Sequence, residues 1–434
     1  MYSFSDSDDE DGLIAMMQPA MQPAVRAALA RVAPPAPGAA QLEPLSVTAA
    51  RAVAQPGHGA RGAPPSSARI WALSDVHTDY RQNREWCALL CSSGSFSGDT
   101  LLLAGDVSSS LEILRATLTT LREAFRAVFF VPGNHDLWLT PSDDAAAVPT
   151  SLAKLDAIRA MCDTIDVQTR PALSGGCIVA PLLSWYHESW DTDEDVGSYW
   201  GGIPPIEKAM TDYYACKWPA PLANGGEPLA QRIDSLNADV DAAVVRLRAL
   251  HPEAPLITMS HFLPRIELCP EKRFLLLPTL AKAVGSRFLR QRVAHLRPAM
   301  HLFGHTHFGW DTTLDDGVRY VQAALSYPRE REVRLATVAA GARFPSDAAP
   351  APLLLRDAAA AGGCGAFAPR YNCAWSNFYA RYARRADLTH SVPEYVARRY
   401  TRLEGGAVGW GEGIDPVWAF GPLPTTRDGA VVAP

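Results

Sequence analysis

Short apolar runs alternate with amphipathic stretches along most of this chain, beginning abruptly at Arg69. This alternation is typical of an α/β fold, in which buried strands are followed by helices that cover the sheet. The apolar runs predict strands at 70–73, 101–104, 128–131, 177–183, 256–259, 300–303 and 319–323. The amphipathic stretches predict helices at 83–90, 110–126, 151–161 and 228–250. We therefore expect residues 69–335 to form one α/β domain.

Three segments lack this pattern. Residues 1–68 are rich in Ala, Pro and Gly, and their few large apolar side chains predict a disordered tail. Residues 186–225 are rich in Trp, Tyr, Pro and acids without clear periodicity, which predicts a long insertion or lid. Residues 336–434 begin with a second stretch rich in Ala, Pro and Gly. We expect them to form a linker and a partly helical C-terminal extension that packs on the α/β domain.

The charge of the chain argues against a nucleic-acid binder. Its 434 residues include 40 Lys and Arg against 46 Asp and Glu, which gives a net charge of −6. Five of the acids lie between Asp6 and Asp11, so the remainder of the chain is nearly neutral. No stripe of basic residues is present to neutralise a phosphate backbone. We therefore do not expect nucleic acid as a partner.

Cysteine usage and hydropathy favour a reduced, cytoplasmic setting. The eight cysteines are scattered and form no C-x-x-C pair, which is unlike a disulfide framework. No apolar run reaches the length that a bilayer span requires, so we expect no membrane partner. The N-terminus opens on acids rather than on basic residues before an apolar stretch, which is unlike a secretory signal. Targeting to an organelle stays open at this point.

Five short polar motifs follow predicted strands. They are Asp75-Val-His77, Gly105-Asp106, Gly133-Asn-His-Asp136, Ser260-His261 and Gly304-His-Thr-His307. Ligands of α/β sheets bind beyond the carboxyl ends of strands, where loops from several strands converge. The three leading glycines would let the backbone bend tightly there. We therefore expect these motifs to meet at one site.

The residue types in these motifs favour a metal site. Asp75 and His77 are two residues apart, so on an extended chain both face the same side, and the same holds for His305 and His307. Carboxylates, imidazoles and one amide suit borderline divalent cations such as Mn²⁺, Fe²⁺ and Zn²⁺. No motif contains a cysteine, which argues against a structural thiolate zinc site. Asp75 or Asp106 alone would be more typical of a helix N-cap than of a metal ligand, but five motifs together favour metal binding.

The order D-x-H, G-D, G-N-H-D, a single His and G-H-x-H resembles the calcineurin-like metallophosphoesterase superfamily over about residues 69–330. The resemblance implies a calcineurin-like four-layer α/β/β/α sandwich with two divalent metal ions at the strand ends. The implied ligands are Asp75, His77 and His307 for the first metal, Asn134, His261 and His305 for the second, and Asp106 as the bridge between them.

The resemblance also implies a mechanism. A water or hydroxide between the metals would be the nucleophile, since two cations about 3.5–4 Å apart lower the pKa of a shared water. His135 would donate a proton to the leaving oxygen, and Asp136 would orient His135. The implied function is hydrolysis of a phosphomonoester or phosphodiester, and we favour a small-molecule substrate. Two alternatives stay open: a non-catalytic scaffold of the same fold, which the presence of His135 disfavours, and a nuclease, which the near-neutral charge disfavours.

A basic segment follows the fourth motif. Arg265, Lys272 and Arg273 lie in a predicted loop that leads away from His261 and would hold a substrate phosphate. A surface loop with ion pairs to neighbouring acids is an equally good interpretation of the same residues.

Overall fold

The computed structural model describes residues 69–145, 148–328, 330, 351–359, 367–371 and 373–414. The predicted disordered tail, residues 1–68, lies outside the described residues. So does most of the predicted linker. No helix in the described ranges is long and apolar enough to span a bilayer.

Strands and helices alternate through the first two thirds of the described chain. The strands are β1 Arg69–Leu73, β2 Thr100–Leu103, β3 Ala127–Phe130, β4 Ala172–Ser174, β5 Cys177–Pro181, β6 Trp200–Gly201, β7 Leu256–Met259, β8 Met300–Phe303, β9 Trp310–Thr313, β10 Arg319–Gln322, β11 Leu353–Asp357, β12 Ser391–Val392, β13 Thr401–Arg402 and β14 Ala407–Val408. The α-helices are α1 Arg81–Ser92, α2 Leu111–Ala124, α3 Pro141–Ala145, α4 Ser151–Thr164, α5 Ile206–Ala209, α6 Asp212–Ala215, α7 Glu227–Ser235, α8 Ala238–Leu250, α9 Arg287–Leu296, α10 Ala374–Arg381 and α11 Glu394–Ala397. All seven predicted strands are confirmed.

Two mixed sheets form the centre of the fold. The first has the order β11-β1-β2-β3, and the second has the order β4-β5-β7-β8-β10-β9. The inner strands of each sheet are parallel, whereas β11, β4 and β9 run antiparallel at the edges. A parallel bridge between Ser74 and Ala324 links the chain just beyond β1 to the chain just beyond β10. The carboxyl ends of the two sheets therefore meet at one place.

Apolar side chains fill three layers and confirm the predicted four-layer α/β/β/α sandwich. Residues of both sheets, such as Leu102 and Leu302, pack against each other in the middle layer. The other face of the first sheet is covered by α1, α2 and α4, and the other face of the second by α8 and α9. The helices follow from amphipathic spacing: α2 buries four residues at intervals of three and four, and the Ser110 side chain caps its first turn.

One prediction for the C-terminal segment is wrong. The stretch predicted to be a linker contains β11, which pairs with β1 and completes the first sheet. Leu353 and Leu355 are buried in the layer between the sheets, so the apolar side chains of this short strand outweigh its flanks rich in Ala and Pro. Beyond it, α10 contacts β9, where the rings of Trp310 and Tyr379 are stacked with centroids 5.8 Å apart.

A second difference concerns the helix predicted over 228–250. It is two helices, α7 and α8, because the chain breaks at Leu236 and Asn237. The Asn237 side chain bonds both backbone groups of Leu183, at 2.8 Å each. The Asn237 amide therefore fixes the break between the two helices to the chain that follows β5, 54 positions away.

Candidate metal centre

The predicted ligands converge where the two sheets meet, in the loops after β1, β2, β3, β7 and β8. Ligand atoms of Asp75, His77, Asp106 and His307 lie within 4.8 Å of one another, and so do those of Asp106, His261 and His305. Asp106 belongs to both groups, as expected for a residue that bridges two cations. All of these side chains are buried except His305, which is half-buried.

Hydrogen-bond acceptors face each other in the half that contains Asn134. The Asn134 Oδ1 atom lies 3.0 Å from His261 Nε2 and 3.0 Å from His305 Nδ1. The other ring nitrogens face backbone carbonyl oxygens, of Ala104 for His261 and of Ala283 for His305, at 2.9 and 3.0 Å. A carbonyl oxygen only accepts, so those nitrogens carry the protons, and neutral His305 turns a lone pair toward an oxygen. A cation between these atoms would resolve the conflict.

The other half has the same character. His77 Nε2 and His307 Nε2 lie 3.0 Å apart, and His307 Nε2 is 3.5 Å from Asp75 Oδ1. The second ring nitrogen of His307 lies 2.8 Å from Glu330 Oε2. A carboxylate that accepts from the outer nitrogen of a histidine is the usual support of a metal-binding imidazole. These residues therefore fit a second cation.

Titration behaviour also indicates that the centre attracts positive charge. Burial lowers the pKa of His261 and is the largest single influence on it, yet the charge and hydrogen bond of Asp106, together with Asp75 and the Ala104 carbonyl, raise the pKa to about 9. At His307 burial is likewise outweighed, here by Glu330 and Asp75, and the pKa rises to about 10. Each half thus contains one imidazole that binds a proton strongly at a place where a metal cation would sit.

The backbone at the ligands is strained. Asp75, His77, Asp106, His305 and His307 all have positive φ, between 44° and 76°. Such conformations cost on the order of 1–3 kcal/mol each for residues other than glycine and concentrate at functional sites. Five strained residues in one cluster indicate that the fold loses some stability in holding these side chains in position.

All three leading glycines of the motifs are required by space, and a Cβ on Gly304 would lie 2.7 Å from the backbone oxygen of Ala104. A Cβ on Gly105 would lie 2.5 Å from His261 Nδ1, and φ at Gly105 is +81°. A Cβ on Gly133 would lie 2.7 Å from His261 Cε1, although Gly133 has no positive φ. The tight bend predicted for these glycines therefore applies to Gly105, whereas Gly133 lets the loops approach the His261 ring.

His135 lies at the open edge of the cluster. Its side chain is 16% exposed, and its Nε2 atom is 3.9 Å from Asp106 Oδ2 and 3.4 Å from the hydroxyl of Tyr327. The ring stacks on Trp138 with centroids 3.6 Å apart. Burial lowers the pKa of His135 below its ordinary value, against the charge of Asp106. This placement, beside the ligands and accessible from outside, suits the predicted proton donor.

Asp136 has a different place from the one expected. Its carboxylate accepts hydrogen bonds from the backbone amides of Asp106, Val107, Ser108 and Gly133, at 2.8–3.0 Å. Those contacts join the loops after β2 and β3, so Asp136 positions the ligand loops rather than the His135 ring. Burial and the charge of Asp106 raise the pKa of Asp136 to about 7 despite these bonds.

Arg265, predicted to bind substrate phosphate, is already paired. Its guanidinium lies 2.6 Å from Glu267, 2.7 Å from Asp315 and 2.8 Å from Asp316. Only 8% of this side chain is exposed. The three carboxylates leave no free donor face for a phosphate.

Lys272 and Arg273 are also engaged elsewhere. Lys272 contacts Asp191 at 2.6 Å and Asp195 at 2.7 Å. The Lys272 and Arg273 side chains are both almost fully buried. Arg273 donates to the backbone oxygen of Trp410 at 2.6 Å. The structure therefore does not support the predicted substrate loop, because its cations are engaged by a neighbouring acid, by acids distant in sequence and by a backbone oxygen.

Three residues near the centre were missed by the sequence interpretation. Glu330 supports His307, Tyr327 approaches His135, and Asp212 accepts a hydrogen bond from the Asn134 amide at 2.9 Å. Burial raises the pKa of Asp212 to about 6, against hydrogen bonds from Trp138 and Asn134. None belongs to a strand-end motif, so no local signal distinguishes them from other acids and tyrosines.

The chain matches one family model and resembles proteins of known structure or activity. A model of the calcineurin-like phosphoesterase family matches residues 68–309, more than half of the chain. The acyl-carrier-protein phosphodiesterase PptH of Mycobacterium tuberculosis is 28% identical over 279 residues, which cover 62% of this chain and 80% of that protein. The crystal structure of the phosphopantetheinyl hydrolase PptH from the same organism aligns with a TM-score of 0.44 and 25% identity, covering 61% of this chain and 92% of that one.

Proposed function

Because this chain belongs to the calcineurin-like phosphoesterase family and is thus a hydrolase of phosphoester bonds, we propose that its substrate is a phosphodiester carried on a protein. Support comes from the acyl-carrier-protein phosphodiesterase to which 62% of the chain is similar. This proposal replaces the small-molecule substrate favoured by the sequence interpretation. A small-molecule phosphoester stays the alternative, and the experiment below separates the two.

One observation carries the catalytic part of the proposal: acceptor atoms converge in two adjoining groups that share Asp106. We propose that Asp75, His77 and His307 hold one divalent cation and that Asn134, His261 and His305 hold the other, with Asp106 common to both. Two bound cations would supply Lewis acidity toward the phosphoryl oxygens and would lower the pKa of a water. The ligand types suit Mn²⁺, Fe²⁺ or Zn²⁺, and we propose manganese for the first test.

His135 is the proposed general acid. Hydrolysis joins a water oxygen to phosphorus and breaks the bond from phosphorus to the leaving oxygen, which then needs a proton. His135 Nε2 lies at the accessible edge, and its ring is held by stacking on Trp138. Its backbone amide donates to Asp106 Oδ1 at 2.9 Å, which ties its position to the shared ligand.

The domain boundaries and the cytoplasmic location stay predictions.

The test compares three substrates with the metal-depleted and Mn²⁺-restored enzyme. The substrates are a phosphopantetheinylated carrier protein, an aryl phosphodiester and an aryl phosphomonoester. We expect the carrier protein to have the highest kcat/KM, the aryl diester to follow, and activity to require added metal. His135→Ala should lower kcat by roughly 10²–10⁴-fold, the usual contribution of general acid catalysis, while Mn²⁺ affinity stays unchanged.

Each other outcome has a definite meaning. Preference for the aryl monoester would overturn the phosphodiester proposal and return the small-molecule phosphatase. Full activity of His135→Ala would remove this residue from the proton-donating role. Two bound Mn²⁺ ions without turnover of any substrate would contradict the proposed substrate class.

A further inference from the structure

The insertion between β5 and β7 delivers a buried carboxylate to the metal centre. Asp212 begins α6 and is fully buried. A single oxygen, Oδ1, accepts from the Asn134 Nδ2 atom at 2.9 Å and from the Trp138 Nε1 atom at 2.6 Å. The Asn224 side chain donates to the Asp212 backbone oxygen at 2.7 Å and holds this turn of the insertion in place.

The first contact decides which end of the Asn134 amide enters the metal centre. An asparagine amide has an oxygen that accepts and a nitrogen that donates, and a half-turn exchanges them. In the flipped state, the nitrogen of Asn134 would donate to the lone pair of His305 and form a good hydrogen bond where a cation belongs. Asp212 binds the nitrogen on the outer side, so the oxygen stays 3.0 Å from His261 and His305.

The second contact acts on His135. Trp138 forms the surface on which the His135 ring rests, with an interplanar angle of 30°. The hydrogen bond from Trp138 to Asp212 fixes the rotation of the indole, and therefore the plane that supports the imidazole. The same carboxylate oxygen thus reaches a metal ligand on one side and the support of the proton donor on the other.

We propose that Asp212 is a positioning residue that selects the metal-binding orientation of Asn134 and, through Trp138, aligns His135. The inference rests on the proposed function for its His135 part only. Its Asn134 part concerns cation binding, which is measured without turnover. No motif of the sequence marks Asp212.

The test is a Mn²⁺ titration by calorimetry on Asp212→Ala, Asp212→Asn and Trp138→Phe. We expect Asp212→Ala to weaken one of the two Mn²⁺ sites by about 10–100-fold, the usual effect of losing an outer support of a metal ligand, and to leave the other site near wild type. Asp212→Asn should retain most of the affinity, because its amide oxygen can accept both hydrogen bonds. Trp138→Phe should bind Mn²⁺ normally, yet lower kcat more than it changes KM and shift the pH profile of kcat.

Asp311→Asn is the matched control. Asp311 is a buried acid on β9, and its carboxylate accepts from Arg319 at 2.6 Å and from the Tyr371 amide at 2.9 Å rather than from a proposed ligand. We expect it to lower thermal stability without changing Mn²⁺ affinity. The proposal is overturned if Asp212→Ala keeps both sites within about threefold of wild type, or if Asp212→Asn and Asp212→Ala lose affinity equally. It is also overturned if Asp311→Asn weakens Mn²⁺ binding as much as Asp212→Ala does.

Should Asp212→Ala not fold, Asp212→Asn and Trp138→Phe still decide, because a merely structural role would not change kcat separately from KM. Failure of wild-type turnover with intact Mn²⁺ binding would instead contradict the proposed function.

Discussion

Two buried polar regions of this protein differ in how their donors and acceptors balance. In the metal centre, oxygen and nitrogen acceptors converge, as Asn134 Oδ1 and His305 Nδ1 do at 3.0 Å. Around Lys272, the ammonium group meets Asp191 at 2.6 Å and Asp195 at 2.7 Å. The first region is incomplete without positive charge, whereas the second already contains it.

This difference separates a binding site from a structural cluster of similar composition. Buried polar groups are almost always satisfied, so a fold that leaves acceptors facing each other reserves the space between them for a cation. A buried ammonium with two carboxylates needs nothing further. Arg265, surrounded by three acids, belongs to the second kind. The number of basic residues near a site is therefore a poor guide to its function. The number of buried donors and acceptors without a complementary partner is a better guide.

The largest expected effect comes from removing the residue that both halves share. Asp106→Asn should lower kcat/KM by at least about 10⁴-fold, since each cation contributes several kcal/mol and each 1.36 kcal/mol is a factor of ten. Asparagine has nearly the same size, so packing is preserved and the change removes charge. Steady-state kinetics with added Mn²⁺ measure the loss.

Thermal unfolding supplies the control for this variant. Ligands that bind only the native state stabilise it, by about 2.7 kcal/mol at a hundredfold excess over Kd. Mn²⁺ should therefore raise the Tm of the wild type and raise that of Asp106→Asn much less. An equal rise in both, or activity of the variant within about tenfold of wild type, would show that Asp106 is not shared between cations.

A smaller effect is expected from the support of His307. Glu330 Oε2 lies 2.8 Å from His307 Nδ1, and Glu330→Leu removes that acceptor, so Mn²⁺ affinity should fall by about 10–100-fold. Glu330→Gln keeps an oxygen for the imidazole N–H and should lose less. The ratio of the Mn²⁺ dissociation constants of the two variants separates the effect of imidazole orientation from the effect of charge. Equal and full losses would mean that the negative charge alone matters.

Much of the fold and of the ligand set could be predicted because both depend on residues that are close together in the sequence. Strands such as 256–259 are continuous apolar runs, and the structure has β7 at the same residues. Ligands such as His261 follow those strands directly, so strand position and residue type together locate them. The strain at the ligands was invisible, since the positive φ of Asp75 or His307 results from packing among loops rather than from the residues themselves.

Contacts between distant segments could not be predicted in this way. Asp212 and Glu330 reach the centre from an insertion and from the chain beyond β10, and their neighbours in sequence resemble those of many surface acids. The strand β11 was missed because it needs β1 as a partner, and the flanks of 353–357 are typical of a linker. In each case the deciding interaction joins residues at least 23 positions apart, where periodicity carries no information.

The smallest effect on catalysis is expected at Lys272. A substitution there tests whether the cluster with balanced charges is structural only. Lys272→Met leaves the fully buried Asp191 with less compensation, and breaking a buried ion pair costs about 3–5 kcal/mol of unfolding free energy. The kcat/KM of the folded variant should nevertheless stay within about twofold of wild type, because the ammonium is committed to its acids. Adding Asp191→Leu should recover stability, since apolar replacement of a whole buried pair is often neutral. Denaturant unfolding and kinetics on the same samples measure both quantities. A large rise in KM without a loss of stability would restore Lys272 as a substrate contact and would show that a balanced cluster can still open to bind phosphate.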